Sequence, residues 1–467
     1  AITSGSNIDY LVTNSPWTAA ADIGISLNSA NGTKATINAQ GGNIVINSAF
    51  ATTGTNNSAS NQEFGISIAS TDILTTNTGT ISINGDIFNN ASTAGQFSWG
   101  VDLRAGTVIR TASGAINITG RGGKTLGNSR GIASNTTNLQ VLSSSGAITF
   151  NDLSPTGNTS YNGMYFRPSS ANAIKIGADG STVASSSSNI SFNADKITFE
   201  QGDVQVSTSG KVIIAPEGAS FGAEFSNTSL NLSSNVSELV LGKSTNTQNI
   251  TLGRATTIAG PITAFGGNIS VNENLNTNAG AANGDILLKS SGDIILAAFK
   301  SITTTGGDVI LWSNSDNETT NGSVALRNGS SIVTGSGSVA GGHIWIGGGS
   351  DGTTWNGLAV GSGYAVPGTS FTPSNGGSAL QSGIYLERNS ISSFGGNIKI
   401  AGDGAALARG IITYGNTVAI NSGSGKIDID GQVTSTAAGN RGGILFGLHD
   451  NTVISTVNIS SSATSGD

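Results

Sequence analysis

Short runs of alternating hydrophobic and polar residues extend along the whole chain, and the hydrophobic positions are mostly isoleucine and valine. Typical runs are Ile81-Ser82-Ile83, Ile116-Asn117-Ile118 and Ile398-Lys399-Ile400. Alternation with a period of two is typical of a strand with one buried face, because successive side chains point to opposite sides. The runs end at Gly, Asn or Ser, which favour tight turns. The pattern therefore predicts many short strands separated by corners.

Three strand signals recur in a fixed order, with 14 to 16 residues between the first and the third. The first is glycine followed by an aliphatic residue, the second is an aliphatic residue, and the third is an Ile-x-Ile run. A strand this short is not stable alone, but it can pair with its equivalent in the next repeat about 4.8 Å away. Three strands per coil predict a triangular all-β solenoid. Examples of the first signal and then the second are Gly65-Ile66, Gly100-Val101 and Gly131-Ile132, followed by Ile73, Val108 and Val141.

No linker or shift in composition divides the sequence, so it predicts a single continuous solenoid over residues 1–467. Two stretches break the rhythm, and we expect corner-loop excursions near 153–173 and 347–382. Both ends of the sequence resemble the interior of a coil and lack polar caps. We therefore expect self-association through uncapped solenoid ends, or contact with neighbouring segments of a longer chain.

Composition excludes several classes of protein. Charged residues make up 10% of the chain and the formal net charge is −7, with 20 Lys and Arg against 27 Asp and Glu. This balance argues against a nucleic-acid partner. No apolar run approaches the roughly 18 residues needed to span a membrane. The sequence has no cysteine, which excludes disulfides and cysteine metal sites.

Few residues of the sequence offer catalytic chemistry. His343, one of two histidines, stands at the start of a predicted strand and is interpreted as an outward-facing polar residue. Asp285 and Asp308 precede strands, where they are expected to accept a hydrogen bond from the backbone. Asp428 and Asp430 share a face of one strand, and a polysaccharide lyase or hydrolase on a β-helix is the enzymatic alternative. The prediction is a protein that is not an enzyme and has no catalytic residues, metal or cofactor.

Aromatic residues suggest where a ligand would bind. Trp312 and Trp345 lie within strand patterns and are expected to pack on the side wall. The candidate ligand-binding residues lie in the two excursions, where exposed rings could stack on sugars; the alternative is that these loops pack onto the wall. These candidates are Trp355, Tyr364, Tyr161 and Tyr165.

Several runs resemble large bacterial exoproteins of the filamentous-haemagglutinin type. They are Gly266-Gly267-Asn268-Ile269, Gly284-Asp285-Ile286, Gly307-Asp308-Val309 and Gly395-Gly396-Asn397-Ile398. The resemblance covers most of the chain and implies a right-handed parallel β-helix from a secreted adhesin. The secretion domain usual in that family, with Asn-Pro-Asn-Gly-type signatures, is not found in this sequence, which favours a segment of a repetitive shaft.

The sequence and the resemblance together favour a non-catalytic structural or adhesive shaft, extracellular or at the bacterial cell surface. It would belong to a fibre, filament or sheath, assembling end to end or forming part of a longer exoprotein. The first alternative is an adhesin that binds surface glycans through the corner loops.

Overall fold

The computed structural model describes residues 2–3, 8–13, 21–28, 34–49, 62–87, 97–123, 128–153, 163–277, 284–318, 321–404, 408–434, 442–448 and 456–462. Over these ranges the chain forms short strands and no helix. The described strand pairs are parallel apart from one hairpin. Within the same ranges no helix is long and apolar enough to cross a membrane.

The chain divides into two compact units, residues 1–240 and 241–467. The strands that begin in the first unit are β1 (Ile2–Thr3), β2 (Ile8–Thr13), β3 (Ala21–Leu27), β4 (Ala35–Asn38), β5 (Ile44–Ala49), β6 (Gln62–Ile68), β7 (Thr71–Leu74), β8 (Ile81–Asp86), β9 (Phe97–Leu103), β10 (Thr107–Thr111), β11 (Ile116–Arg121), β12 (Asn128–Thr136), β13 (Leu139–Ser143), β14 (Ile148–Asp152), β15 (Met164–Pro168), β16 (Ile174–Gly177), β17 (Ile190–Asn193), β18 (Ile197–Phe199), β19 (Val204–Ser207), β20 (Lys211–Ala215), β21 (Phe225–Ser226), β22 (Leu230–Leu232) and β23 (Glu238–Leu241).

Strands of the first unit pair with every third strand along the chain. The three sheets have the orders β1-β4-β7-β10-β13-β16-β19-β22, β2-β5-β8-β11-β14-β17-β20-β23 and β3-β6-β9-β12-β15-β18. Equivalent isoleucines stand in register, so Ile44, Ile81, Ile116 and Ile148 form one buried row. The predicted parallel β-solenoid with about three strands per coil is confirmed.

The second unit has the same construction. Its strands are β24 (Ile250–Leu252), β25 (Thr256–Thr257), β26 (Ile262–Gly266), β27 (Ile269–Val271), β28 (Leu275–Thr277), β29 (Ile286–Ser290), β30 (Ile294–Leu296), β31 (Ser301–Thr304), β32 (Val309–Trp312), β33 (Val324–Leu326), β34 (Ser331–Val333), β35 (Ile344–Trp355), β36 (Leu358–Gly363), β37 (Ser382–Glu387), β38 (Ser390–Ser392), β39 (Ile398–Asp403), β40 (Arg409–Tyr414), β41 (Thr417–Asn421), β42 (Ile427–Gln432), β43 (Ile444–Leu448) and β44 (Thr456–Ser460). The sheet orders within it are β24-β27-β30-β33-β37-β40-β43, β25-β28-β31-β34-β38-β41-β44 and β26-β29-β32-β35-β39-β42.

The interior of the first unit contains phenylalanine as well as the expected aliphatic residues. The rings of Phe150 and Phe192 stack in consecutive coils with centroids 5.1 Å apart, and Phe166 meets Phe192 edge to face at 5.9 Å. All three side chains are fully buried. Offset and edge-to-face aromatic pairs are stabilising beyond the area they bury. This stack therefore adds to the stability of the core.

A ladder of side chains caps one corner of the second unit. Oδ1 of Asp285 accepts a hydrogen bond from the backbone N–H of Asp308 at 2.8 Å, and Oδ1 of Asp308 accepts one from the N–H of His343 at 2.5 Å. Nδ1 of His343 accepts from the N–H of Asn397, and Oδ1 of Asn397 accepts from the N–H of Lys426 at 2.8 Å. The predicted corner role of Asp285 and Asp308 is confirmed, with the accepted amide in the following coil.

Candidate binding grooves

The excursion near 347–382 begins with a β-hairpin. Strand β35 continues past the wall of the solenoid and pairs antiparallel with β36, with Trp355 opposite Leu358. Asn356 and Gly357 connect them, and both have positive φ angles, 47° and 84°. Two successive left-handed residues are typical of a type I′ turn, for which Asn-Gly is the favoured sequence. The Asn-Gly pair is thus the sequence signal for a hairpin in a stretch whose composition indicates an irregular loop.

The hairpin packs against the outer face of the sheet through apolar residues. Ile310, Trp312, Trp345 and Val360 form a buried cluster, and Leu358 packs against it. Nε1 of Trp312 donates a hydrogen bond to the carbonyl oxygen of Gly349 at 2.7 Å. The predicted packing of Trp312 and Trp345 on the side wall is confirmed. Because the hairpin is anchored in this way, its tip is positioned by the solenoid.

The sequence-predicted residues Trp355 and Tyr364 line one groove beside the hairpin, which we call the hairpin groove. Both side chains are half-buried, so part of each ring faces the opening. The groove has a volume of about 250 Å³. Its lining consists of Trp345, Thr353, Thr354, Trp355, Val360, Gly361, Ser362, Gly363, Tyr364, Lys399, Ala401 and Asp430.

The charged groups at the hairpin groove are all partnered. The hydroxyl of Tyr364 donates to Oδ2 of Asp430 at 2.6 Å, and this hydrogen bond, with burial, raises the pKa of Tyr364 to about 12. Nζ of Lys399 lies 2.9 Å from Oδ2 of Asp428, its register partner on the neighbouring strand. Asp428 and Asp430 lie on one face, as predicted, but each has a separate partner. The groove thus combines aromatic surface with little net charge.

Tyr165 lies in the first unit and lines a different groove, which we call the arginine groove. Only 7% of this residue is exposed, and it belongs to β15. Tyr161 lies outside the described residues. The arginine groove has a volume of about 550 Å³. Its lining consists of Phe64, Trp99, Asp102, Arg104, Ala105, Arg130, Asn135, Tyr165 and Arg167.

Arginine and aromatic side chains alternate across the arginine groove. The guanidinium carbon of Arg130 lies 3.5 Å from the ring centroid of Tyr165 and 5.0 Å from that of Trp99. The guanidinium carbon of Arg104 lies 4.9 Å from the ring of Phe64. These are cation–π distances, which are stabilising when the cation is desolvated. The contacts hold the guanidinium planes against the outer wall.

Two carboxylates complete this arrangement. Nε of Arg104 forms an ion pair with Asp102, which also accepts a hydrogen bond from Oγ of Ser67 at 3.3 Å. Asp102 is buried, and burial raises its pKa despite Arg104. The hydroxyl of Tyr165 donates to the exposed Glu200 at 2.9 Å. Burial lowers the pKa of Arg130, although a guanidinium remains protonated at any ordinary pH.

Sequence reasoning identified Tyr165 but missed the arginines and Trp99. A signal was present, because Phe64, Trp99 and Arg130 each stand directly before the glycine of the first strand signal. The structure places Phe64 opposite Trp99 and Trp99 opposite Arg130 in register. Aligning the repeats on that glycine would have put the three residues in one row.

No group of three or more His, Asp or Glu side chains that could hold a metal ion occurs in the described part of the chain. His449 lies outside that part. No protein-family model matches the chain, and neither a curated protein nor a solved structure is significantly similar to it.

Proposed function

We propose that the chain is a non-catalytic, extracellular β-solenoid shaft that binds glycans through the hairpin groove. The shaft role, in a bacterial surface fibre, filament or sheath, is supported by the in-register sheets of each unit and by the resemblance to haemagglutinin-type exoproteins. Parallel ladders in which every coil pairs with its neighbours resist local opening. Such a frame suits a protein that holds a binding surface outside the cell.

The observation that carries the binding role is the convergence of Trp355 and Tyr364 on one groove. Indole and phenol rings offer a flat apolar surface to the C–H face of a sugar, while polar groups beside them orient its hydroxyls. The carboxylate of Asp430 and the hydroxyls of Thr353 and Ser362 lie beside the rings. A site on a rigid, anchored hairpin loses little entropy when it binds.

Charge decides which glycans suit this groove. Its lining holds one lysine and one aspartate, and Asp428 lies next to the lysine. No cation in the lining is free of a carboxylate partner, so an acidic sugar would gain little attraction. The hairpin groove therefore fits a neutral saccharide.

The test is binding of the full chain to an immobilised panel of neutral oligosaccharides. Trp355→Ala is expected to weaken binding about 10-fold or more, because a central aromatic contact often dominates a small interface. Phe299→Ala is the matched control, since Phe299 is an aromatic residue of the same unit, 74% exposed and outside the groove. Unchanged binding by Trp355→Ala, or no binding by the wild-type chain, would refute the proposal.

A further inference from the structure

The arginine groove concentrates positive charge in an acidic chain. The sequence has ten arginines and a net charge of −7, yet three of those arginines line this one groove. Asp102 is the only carboxylate in the lining, and it is paired with Arg104. Glu200, which accepts a hydrogen bond from Tyr165 at the edge of this arrangement, also acts on Arg130, so Arg130 and Arg167 together leave an excess of one positive charge. A groove with low-dielectric walls focuses such a field on a ligand.

Arg130 has a buried side-chain nitrogen that lacks a hydrogen-bond partner in the described part of the fold. It is 8% exposed, and its Nε has no hydrogen-bond partner among the described residues. The described ion pairs do not include Arg130, and Nε of Arg167 is also buried without a hydrogen-bond partner. A buried donor without a partner is costly, although Tyr165 and Glu200 stabilise the charge of Arg130. A bound anion would give these two guanidinium groups a charge-assisted partner at their exposed edges.

The strand pairing around the arginine groove argues against an acidic peptide that binds by adding a strand to the sheet. The groove lies on the face of β6, β9, β12 and β15, and each of these strands is paired on both edges. No free strand edge is available for the backbone of a peptide to extend the sheet. Recognition must come from side chains alone: the half-buried ring of Trp99, the guanidinium groups and the exposed amide of Asn135.

These contacts suit an acidic sugar. Guanidinium groups bind carboxylates through paired, parallel hydrogen bonds, and aromatic rings accept the apolar face of a sugar ring. Arg130 and Arg167 belong to adjacent strands, β12 and β15, and Arg167 stands opposite Asn135, five residues beyond Arg130 along β12. A chain that carries a carboxylate on each of several successive sugars can reach both arginines.

We propose that the arginine groove is a second binding site, specific for saccharides that carry carboxylate groups, such as uronic-acid oligomers. The site is independent of the hairpin groove in residues, unit and ligand charge. Arg130 is the central contact, held by Tyr165 and Trp99, and Arg167 is the more accessible second contact. Asp102 is a positioning residue that holds Arg104 beside the opening.

The experiment measures binding of an oligogalacturonate to the full chain by calorimetry, with an uncharged galactose oligomer as the comparison ligand. Arg130→Gln and Arg167→Gln are each expected to weaken oligogalacturonate binding about 10-fold, the usual effect of losing a charge-assisted contact. Arg110→Gln is the matched control, because Arg110 is a half-buried arginine of the same unit on a different sheet. Binding should also weaken as salt is raised from 50 to 500 mM.

Four outcomes with the wild-type chain would overturn the proposal. They are no oligogalacturonate binding by the wild-type chain, equal binding of the uncharged oligomer, equal binding of polyglutamate, and preference for dextran sulfate. Arg130→Gln removes a buried group, so its fold is checked by circular dichroism. Arg167→Gln, at a half-buried position, provides the same test if Arg130→Gln does not fold. Wild-type affinity in Arg167→Gln would refute the assignment of this groove. Loss of neutral-oligosaccharide binding in Trp355→Ala would concern the hairpin groove alone.

Discussion

The imidazole Nδ1 of His343 accepts a hydrogen bond from the backbone N–H of Asn397 at a distance of 2.9 Å. His343 thereby takes the position in the corner ladder that aspartate or asparagine takes in other coils. The histidine must be in the tautomer whose proton is on Nε2, since Nδ1 is the acceptor. An imidazole can therefore serve as a structural cap in this fold.

Replacement of His343 tests whether the cap matters. His343→Ala leaves the Asn397 amide without its acceptor and should lower the free energy of unfolding by about 1 kcal/mol. His343→Asn supplies an acceptor of the kind found at Asn397, so its free energy of unfolding should decrease less than that of His343→Ala. Hydrogen exchange of the Asn397 amide would report the effect locally. Faster exchange in the alanine variant than in the asparagine variant is expected, and equal rates would contradict the cap.

The phenylalanine stack predicts a large difference between two aromatic positions. Phe192→Ala should lower the free energy of unfolding by about 3–5 kcal/mol, because a buried ring is lost and a cavity is left. Phe299→Ala should change it by less than about 0.5 kcal/mol, since that ring is mostly exposed. Equilibrium unfolding in urea measures both values. Similar decreases in the free energy of unfolding at the two sites would mean that the phenylalanine stack does not stabilise the fold more than an exposed ring does.

Tyr364 predicts a change of stability in strong alkali. Its hydrogen bond to Asp430 raises its pKa to about 12, above the ordinary value of 10.0. The neutral form is favoured in the fold, so this contribution is complete below pH 10 and is lost as the pH rises through about 12. The difference in tyrosinate absorbance between the wild-type chain and Tyr364→Phe isolates this group. Asp430→Asn should move the titration back toward pH 10; an unmoved titration would disprove the coupling.

Asp179 predicts the opposite dependence in acid. Burial would raise its pKa, but hydrogen bonds from the amides of Val183 and Ser181 outweigh it and lower the pKa to about 2. The contribution to stability is complete above the ordinary value of 3.8 and is lost as the pH falls through about 2. The amide shift of Val183, followed by NMR from pH 5 to 1.5, should follow this titration. Asp179→Asn should abolish the step, and its persistence would assign the titration to another group.

Two glycines predict contrasting effects of the same substitution. A Cβ at Gly146 would lie 1.8 Å from the carbonyl oxygen of Gly114 in the preceding coil, whereas a Cβ at Gly337 would meet nothing within 4 Å. Gly146→Ala should therefore lower the free energy of unfolding by about 1–3 kcal/mol, as overpacking does. Gly337→Ala should be neutral or slightly stabilising. Thermal unfolding of both variants measures the contrast. Equal midpoints would show that the backbone around Gly146 and Gly114 can move apart at little cost.

The alternating isoleucines were sufficient to predict the architecture, because burial of one strand face leaves few other arrangements. Which residues of a strand face the core and which face solvent was harder to predict. Val108 was expected to mark the second side of its coil, but Ile109 is the residue that stacks on Ile73 and Val141, and Val108 faces outward. Two adjacent β-branched residues fit either face, and only the register with neighbouring coils decides between them.

The candidate sites were predicted only in part, for a related reason. Trp355 and Tyr364 lie close in sequence, so one excursion was enough to bring them together. Trp99, Arg130 and Tyr165 come from three coils separated by stretches of variable length. Their proximity depends on the stacking of coils, which composition and local motifs do not record.

The hydrogen bonds of the corner ladder in the second unit all run in the same direction along the chain. In each of its four hydrogen bonds the acceptor side chain belongs to an earlier coil and the donor amide to a later one, 23 to 54 residues further along the chain. The damage caused by a substitution in this ladder is thus displaced from its own position in the sequence. Loss of the Asp308 side chain would leave an amide unpaired in the coil of His343. Loss of the His343 side chain would leave one unpaired in the coil of Asn397.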